Sequence, residues 1–374
     1  MSARSRTLPA TIDPAYVALA LVPGIGRARL DVLLAEFGSA EAVLAASPAA
    51  LLRVHGISLA AATAIGDTNP EAGQRTVERT DALGGTVLVP GDERFPEPLK
   101  LIPEAPTLLF AAGRLECLAR PAVAIVGSRS HTRYGAEACR HFAAGLGRAG
   151  LAVVSGMARG IDAVAHLAAL DAGAGTIGVL GNGLGVVYPA ANRALYERVA
   201  AHGCLLAEQP PGERPHAGSF PRRNRLISGL ARVTLVVEAR AKSGALITAD
   251  CALAQGREVQ AVPGPITSPT SVGCNRLIQH GAKPALGLRD VLEEYGLAAT
   301  NVPAVTLPTD LSPDERRVLS ALSAEPAPVD DLGARVVLGA GDVLAVLTSL
   351  EIRGLAVQEP GKAFRRADSC LSGR

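Results

Sequence analysis

Val123-Ala124-Ile125-Val126-Gly127-Ser128-Arg129-Ser130 is the stretch that decides the fold. Four apolar residues make a strand buried on both faces, a glycine turn follows, and a helix opens near Tyr134 or Gly135. Further runs of the same kind stand at residues 152–154, 176–180, 205–207, 233–237 and 259–262. Each interval between them is long enough for a crossover helix, so the pattern predicts an α/β fold with a doubly wound parallel sheet.

Working outward, residues 67–120 are proline-rich between Pro90 and Pro106 and carry two short extended pieces, Thr86-Val87-Leu88-Val89 and Thr107-Leu108-Leu109-Phe110. These lead into the sheet, and the whole of 67–296 is expected to be one domain. Before it, residues 1–66 are rich in Ala and Leu at helical spacing. Val22-Pro23-Gly24-Ile25-Gly26 and Val54-His55-Gly56-Ile57-Ser58 each resemble a helix-hairpin-helix turn. In such a turn the glycines let the backbone come close to a phosphate and leave the next helix's first N–H groups free. Gly24, Gly26 and Arg27, with Arg29 nearby, are therefore an accessory DNA contact; the other reading is a helical bundle that caps its neighbour or binds a protein. Residues 297–311 are nearly uncharged, carry Pro303 and Pro308, and read as a linker. From 312 to 374 the order is helix, helix, helix and a hairpin around Pro360-Gly361, which predicts a winged helix. Its third helix carries little positive charge, so a protein-interaction role stands beside a DNA-reading one.

The chain has 374 residues, 37 Lys plus Arg against 35 Asp plus Glu, and 48% hydrophobic content. A net charge of +2 excludes a uniformly basic nucleic-acid binder, so any anion site is a local cluster. Aromatics are 3% with no Trp, which excludes a broad base-stacking platform. The six cysteines, Cys117, Cys139, Cys204, Cys251, Cys274 and Cys370, show no Cys-x-x-Cys spacing. That argues against a zinc site and a secreted disulfide framework, and a reducing cytoplasm fits. No apolar run is long enough for a membrane span. Arg4 and Arg6 precede an apolar stretch, but Asp13 and Pro14 interrupt it, so it reads as folded rather than as a signal segment.

Ligands of an open parallel sheet bind at the carboxyl ends of its strands. There, Gly127-Ser128-Arg129-Ser130 leads into a helix and reads as a phosphate cradle or a plain turn. Ser155-Gly156-Met157-Ala158-Arg159-Gly160-Ile161-Asp162 and Gly181-Asn182-Gly183 form similar loops at the same edge. Asp162 in a first turn is either a ligand or a partner of the helix dipole. The strongest cluster is Phe220-Pro221-Arg222-Arg223-Asn224-Arg225, because residues 212–232 hold five arginines and one acid, Glu213. A single-sign cluster beside phosphate-type loops points to a polyanion. On a helix Arg222 and Arg225 share a face and Arg223 points elsewhere. Phe220 stacks on a base or staples a helix start. Lys242 adds a cation after the fifth strand. Glu208 and Glu238 close two strands and, if they faced one another, would allow nucleotide glycosidic hydrolysis; ion pairs with the arginines explain them equally well. The seven histidines show no metal-binding spacing.

Gly127-Ser128-Arg129, Ser155-Gly156 through Gly160-Ile161-Asp162, Phe220-Pro221 with Arg223-Asn224-Arg225, Ser243-Gly244-Ala245-Leu246, Val262-Pro263-Gly264 and Gly273-Cys274-Asn275 occur in order over some 170 residues. This series resembles that of the bacterial DNA-processing protein A (DprA/Smf) family. The resemblance implies an extended Rossmann-like, doubly wound, mostly parallel sheet. Around it would lie an N-terminal sterile-alpha-motif or helix-hairpin-helix domain and a C-terminal winged helix. It implies a non-enzymatic, cytoplasmic protein of natural transformation and DNA recombination with no cofactor. Such a protein binds and protects incoming single-stranded DNA, loads a RecA-type recombinase past single-strand binding protein, and acts as a homodimer. Residue by residue, the implied DNA contacts are Gly127, Ser128, Arg129, Arg159, Arg222, Arg223, Asn224, Arg225 and Lys242. Leu277 and Ile278 fall where a dimer contact is expected. Ala245 stands where Ser is expected. The alternative is a Rossmann nucleotide-processing enzyme like the phosphoribohydrolases, whose Pro-Gly-Gly-x-Gly-Thr stretch is missing here. A winged-helix transcription regulator is the third reading.

Overall fold

The computed structural model describes residues 12–298, 310–323, 325–361 and 363–367. Six helices come first: α1 (Pro14–Ala20), α2 (Arg27–Phe37), α3 (Ala40–Ala45), α4 (Pro48–Leu51), α5 (Leu59–Gly66) and α6 (Glu71–Ala82). Their starts follow from side-chain caps that satisfy otherwise orphaned N–H groups. Asp13 accepts from the Ala15 amide at 2.8 Å, and Ser39, Ser47 and Ser58 do the same for α3, α4 and α5. α2 differs: Gly26 precedes it with no capping side chain. Leu19, Leu30, Leu33 and Ile65 of this unit share one apolar core with Val87, Phe110 and Leu180 of the sheet, so the helices are seated on the sheet's edge.

The sheet runs β1 (Gly85–Leu88), β2 (Leu109–Gly113), β3 (Ala122–Gly127), β4 (Ala152–Ser155), β5 (Thr176–Val179), β6 (Cys204–Ala207), β7 (Val233–Glu238), β8 (Glu258–Ala261) and β9 (Lys283–Pro284). The connecting helices are α7 (Glu97–Lys100), α8 (Arg133–Arg148), α9 (Ile161–Asp171), α10 (Arg193–His202), α11 (Ser219–Leu230), α12 (Gly244–Ala254), α13 (Val272–Gln279) and α14 (Leu288–Leu292). Strand order is β1-β2-β6-β5-β4-β3-β7-β8-β9. β3 to β9 are parallel, and β2 joins β6 antiparallel, carrying β1 outside it. This is the doubly wound, mostly parallel, Rossmann-like sheet. Alternate residues of one strand enter opposite layers: Val123 and Ile125 pack with α8 and α9, while Ala124 and Val126 pack with α11 and α12. Burial on both faces is the reason the strand reads as an unbroken apolar run. The chain winds outward from β3 in one direction to β6 and from β7 in the other to β9, which makes the β3/β7 seam the topological switch point.

After residues 299–309, which lie outside the described residues together with most of the expected linker, come α15 (Pro313–Ala321), β10 (Ala327–Pro328), α16 (Val329–Val336), α17 (Ala340–Ile352), β11 (Ala356–Glu359) and β12 (Ala363–Arg366). α15 opens on a reciprocal capping box between Ser312 and Glu315. The three helices enclose Val318, Leu332, Leu347 and Phe364, with the β11–β12 hairpin as the wing. Among the described residues no single helix is long and apolar enough to cross a membrane. The described cysteines are all free thiols, and Cys370 lies outside the described residues, as do Arg4 and Arg6.

Candidate nucleic-acid interface

Glu238, the last residue of β7, builds the switch point. Its backbone oxygen accepts from the Ser128 amide at 2.7 Å, and its side chain accepts from the Thr132 amide at 2.9 Å. Thr132 in turn caps α8 through Gly135 at 3.1 Å. The carboxylate reaches this helix start because Gly135 has no side chain: a Cβ there would stand 2.1 Å from Glu238 Oε2. Gly160 is held by a second constraint, a φ of +81° and a virtual Cβ 2.2 Å from Ser128 O, which lets the β4–α9 loop lie against the β3–α8 loop.

Arg223 ties the loops together from beneath. It is buried, and its Nη1 donates to Gly156 O at 2.6 Å and to Val179 O. Asp162, also buried, accepts from the amides of Gly156 at 3.1 Å and Ala158 at 3.3 Å. Burial pushes the Asp162 carboxyl above the usual carboxylate range, while the Arg223 charge and the two amides pull it down. Asn192 holds the same loop by donating to Met157 O at 2.9 Å and Ala158 O at 3.1 Å. His166, deeper still, has its Nδ1 2.7 Å from the Thr176 hydroxyl, and burial pushes its ring down to about 3.

Above these braces opens a groove of about 1020 Å³, lined by Ser128, Arg129, Tyr188, His216, Phe220 and Arg240 among others. Its distinctive feature is a layered cluster. The Arg129 guanidinium lies 5.8 Å from the Phe220 ring centre, and Tyr188 lies 5.5 Å from Phe220 at an interplanar angle of 36°. A cation beside two adjacent rings, next to a helix N-terminus, offers one contact for a phosphate and another for a base.

Each expected residue has a definite place. Gly127, Ser128, Arg129, Arg223 and Asn224 line the groove. Arg129 is exposed, whereas Arg223 and Asn224 are buried as bracing groups. Arg159 and Lys242 are exposed beside the groove-lining Ala158 and Ser243. Arg222 and Arg225 face away from it and, with Gly24, Gly26 and Arg27, line a second cavity on the other side of α11. Both reach Glu208, Arg222 at 3.6 Å and Arg225 by a direct ion pair. Leu277 and Ile278 are half-buried against the sheet's core. Glu208 and Glu238 do not face one another. β5, β4 and β3 separate their strands, so four spacings of about 4.8 Å, roughly 19 Å in all, divide them. The geometry gives them no shared reacting atom.

Tyr188, His216 and Arg240 went unread in the sequence. Tyr188 carried a usable signal, since an aromatic five residues past the Gly181-Asn182-Gly183 loop is conspicuous in a chain with so few rings.

Residues 86–296 match the model of the DNA recombination-mediator protein A family, and residues 302–362 match the DprA winged helix domain. Protein Smf of Synechocystis sp. is 36% identical over 94% of this chain and 98% of its own length. The X-ray structure of DNA processing protein A from Streptococcus pneumoniae superposes with a TM-score of 0.67 and 34% identity, covering 76% of this chain and 99% of that one. A structure of the Helicobacter pylori protein, described as giving insights into its unique single-stranded DNA binding mode, superposes with a TM-score of 0.52 and 28% identity, covering 56% and 95%.

Proposed function

The chain belongs to the DNA recombination-mediator protein A family, and from that premise we propose that its switch-point groove binds single-stranded DNA along the backbone. It is a DNA-processing and recombination protein. In our reading it shields the strand, presents it to a RecA-type recombinase in competition with single-strand binding protein, and works as a cytoplasmic homodimer without turnover. Arg129, Arg159 and Lys242 meet phosphates. Gly127 and Ser128 present the loop backbone, and Arg223, Asn224 and Arg225 hold the loops and α11 in register. Residues 1–66 and 312–374 act as accessory units on either side of 67–296, the latter reached through 297–311.

One observation carries the reading: the Arg129–Phe220–Tyr188 cluster stands at the mouth of the groove where the chain winds away in both directions. Nucleotide hydrolysis finds no support, because Glu238 spends its carboxylate on α8 and Glu208 on the arginines. The test is competition between a labelled mixed-sequence single strand and unlabelled duplex. The single strand should be preferred in every sequence tried, and Phe220→Ala should reduce its affinity about tenfold, one stacked base being worth roughly 1–3 kcal/mol. Duplex preference, or a Phe220→Ala variant that binds like the wild type, contradicts the proposal.

A further inference from the structure

Arg133 opens α8 three residues after Ser130, which lines the groove, and four after Arg129. Four residues of chain span at most about 14 Å between the Cα atoms of the two arginines, so nucleotides next to one held at Arg129 are within reach of Arg133. The Arg133 side chain is 53% exposed, and its guanidinium is divided between two acids. Nε meets Glu137 of its own helix at 2.8 Å, and Nη2 meets Glu359, the last residue of β11 in the wing, also at 2.8 Å. The second pair joins residues 226 positions apart in the chain.

Three features make this pair a latch rather than a seam. Glu359 has a second partner inside the wing: Arg365 of β12 lies diagonally across the hairpin, with its Nε 3.0 Å from the same Oε1. When the wing moves away, Glu359 therefore stays paired and only Arg133 loses an acid. The winged unit also has its own apolar core, drawn from residues 311–364, and shares none of it with the sheet. Finally, the pair is of the exposed kind that is worth little in water and is weakened by salt. A guanidinium N–H that donates to a carboxylate donates as readily to a phosphate oxygen.

We propose that Glu359 holds the place of a backbone phosphate on Arg133, so that the wing is a displaceable cover over one DNA contact at the groove's rim. With the wing seated, the strand has Arg129, Arg159 and Lys242; with the wing drawn aside, it gains Arg133 as well. The inference rests on the proposed strand binding and adds its regulation. Strand and wing compete for one donor, and whatever removes the wing tightens the grip.

The test uses the full chain and a labelled mixed-sequence single strand of about 30 nucleotides, longer than a typical single binding site, with anisotropy read over a salt series. Glu359→Gln keeps the size of the side chain and removes its charge. It should bind the strand about threefold more tightly at low salt, the scale of one exposed ion pair. Its logarithmic salt slope should be steeper by up to one phosphate contact, so the advantage fades at high salt. Two further variants separate the latch from a general loss of negative charge. Asp331→Asn, which removes an exposed charge from α16 of the same unit, should bind like the wild type. Glu359→Gln combined with Arg133→Ala should lose the gain, because the freed donor is gone. A wing loosened by Glu359→Gln also leaves Arg133, so the same outcome is expected whether or not the wing keeps its fold. Glu359→Gln binding equal to or weaker than the wild type overturns the latch, as does a gain that survives Arg133→Ala or that Asp331→Asn reproduces. Arg129→Ala is run in parallel. If it binds like the wild type while Glu359→Gln binds more tightly, the groove reading fails and the Arg133 contact stands; if it binds weakly while Glu359→Gln is unchanged, the latch fails and the groove remains.

Discussion

Two neighbouring arginines show how differently one residue type works here. Arg129 is exposed beside Phe220, whereas Arg223 is buried and satisfies the carbonyls of Gly156 in the β4–α9 loop and of Val179 at the end of β5. Arg129→Ala should weaken DNA binding and leave the urea midpoint unchanged. Arg223→Met should lower stability by about 3–5 kcal/mol, the range for removing one partner from a buried charged network, and lose binding as a consequence; chemical denaturation separates the two. His166 adds a pH dependence. Its folded pKa is depressed to about 3 from 6.5, so between those values the unfolded chain takes up a proton that the native chain refuses. The stability is fully present above pH 6.5 and is lost as pH falls toward 3, with a slope of up to about 1.4 kcal/mol per pH unit from this group. His141 shifts in the same direction, so unfolding at pH 7, 6 and 5 is compared with His166→Gln, which should flatten the slope. At this scale the sequence was legible in kind more than in role. The arginine cluster announced an anion site and helical spacing set Arg223 apart from Arg222 and Arg225, but only the packing of α11 puts Arg223 beneath the groove and Arg225 on the far side of the helix.

Elements were read more easily than side-chain roles. Six parallel strands stood out because a strand buried on both faces must be apolar throughout, and β3 is buried from Ala122 to Val126. β9 was missed, since two exposed residues, Lys283 and Pro284, leave no periodicity to read. α6 also carried a weak signal because its buried positions include Gly73 and Thr80 rather than an apolar stripe. The junction of β7 with α8 is the element that sets the groove's shape. Gly135→Ala should force Glu238 off the α8 start, lowering stability by about 1–3 kcal/mol and DNA affinity with it, as read by thermal melting and anisotropy on the same samples. In the winged unit, α17 holds neither Lys nor Arg between Ala340 and Ile352, while Asp342 and Glu351 are exposed. That composition favours a protein partner for this helix over a duplex.

Across the whole molecule, four bodies of core divide the work. The sheet's two faces and the winged unit each have their own, while the helical unit shares one with the sheet's β1–β2 edge. Arg133 at the start of α8 pairs with Glu359 of the wing at 2.8 Å, which brings the wing to the groove's rim. Sequence periodicity finds the units but not such contacts, because they join surfaces that are polar on both sides. For the proposed homodimer, sedimentation equilibrium should give twice the chain mass, and Leu277→Glu should shift it toward monomer with the helical circular dichroism retained. A wild-type monomer at micromolar concentration would contradict the dimer.

The central claim is that phosphates of a single strand are held at the switch-point groove. It is tested most directly by anisotropy with one mixed-sequence single strand, wild type against Arg129→Ala, over a salt series. The account predicts affinity falling steeply with salt for the wild type, and in Arg129→Ala a lower affinity whose logarithmic slope is shallower by roughly one phosphate contact. Equal affinities and parallel slopes would place the strand elsewhere on the molecule.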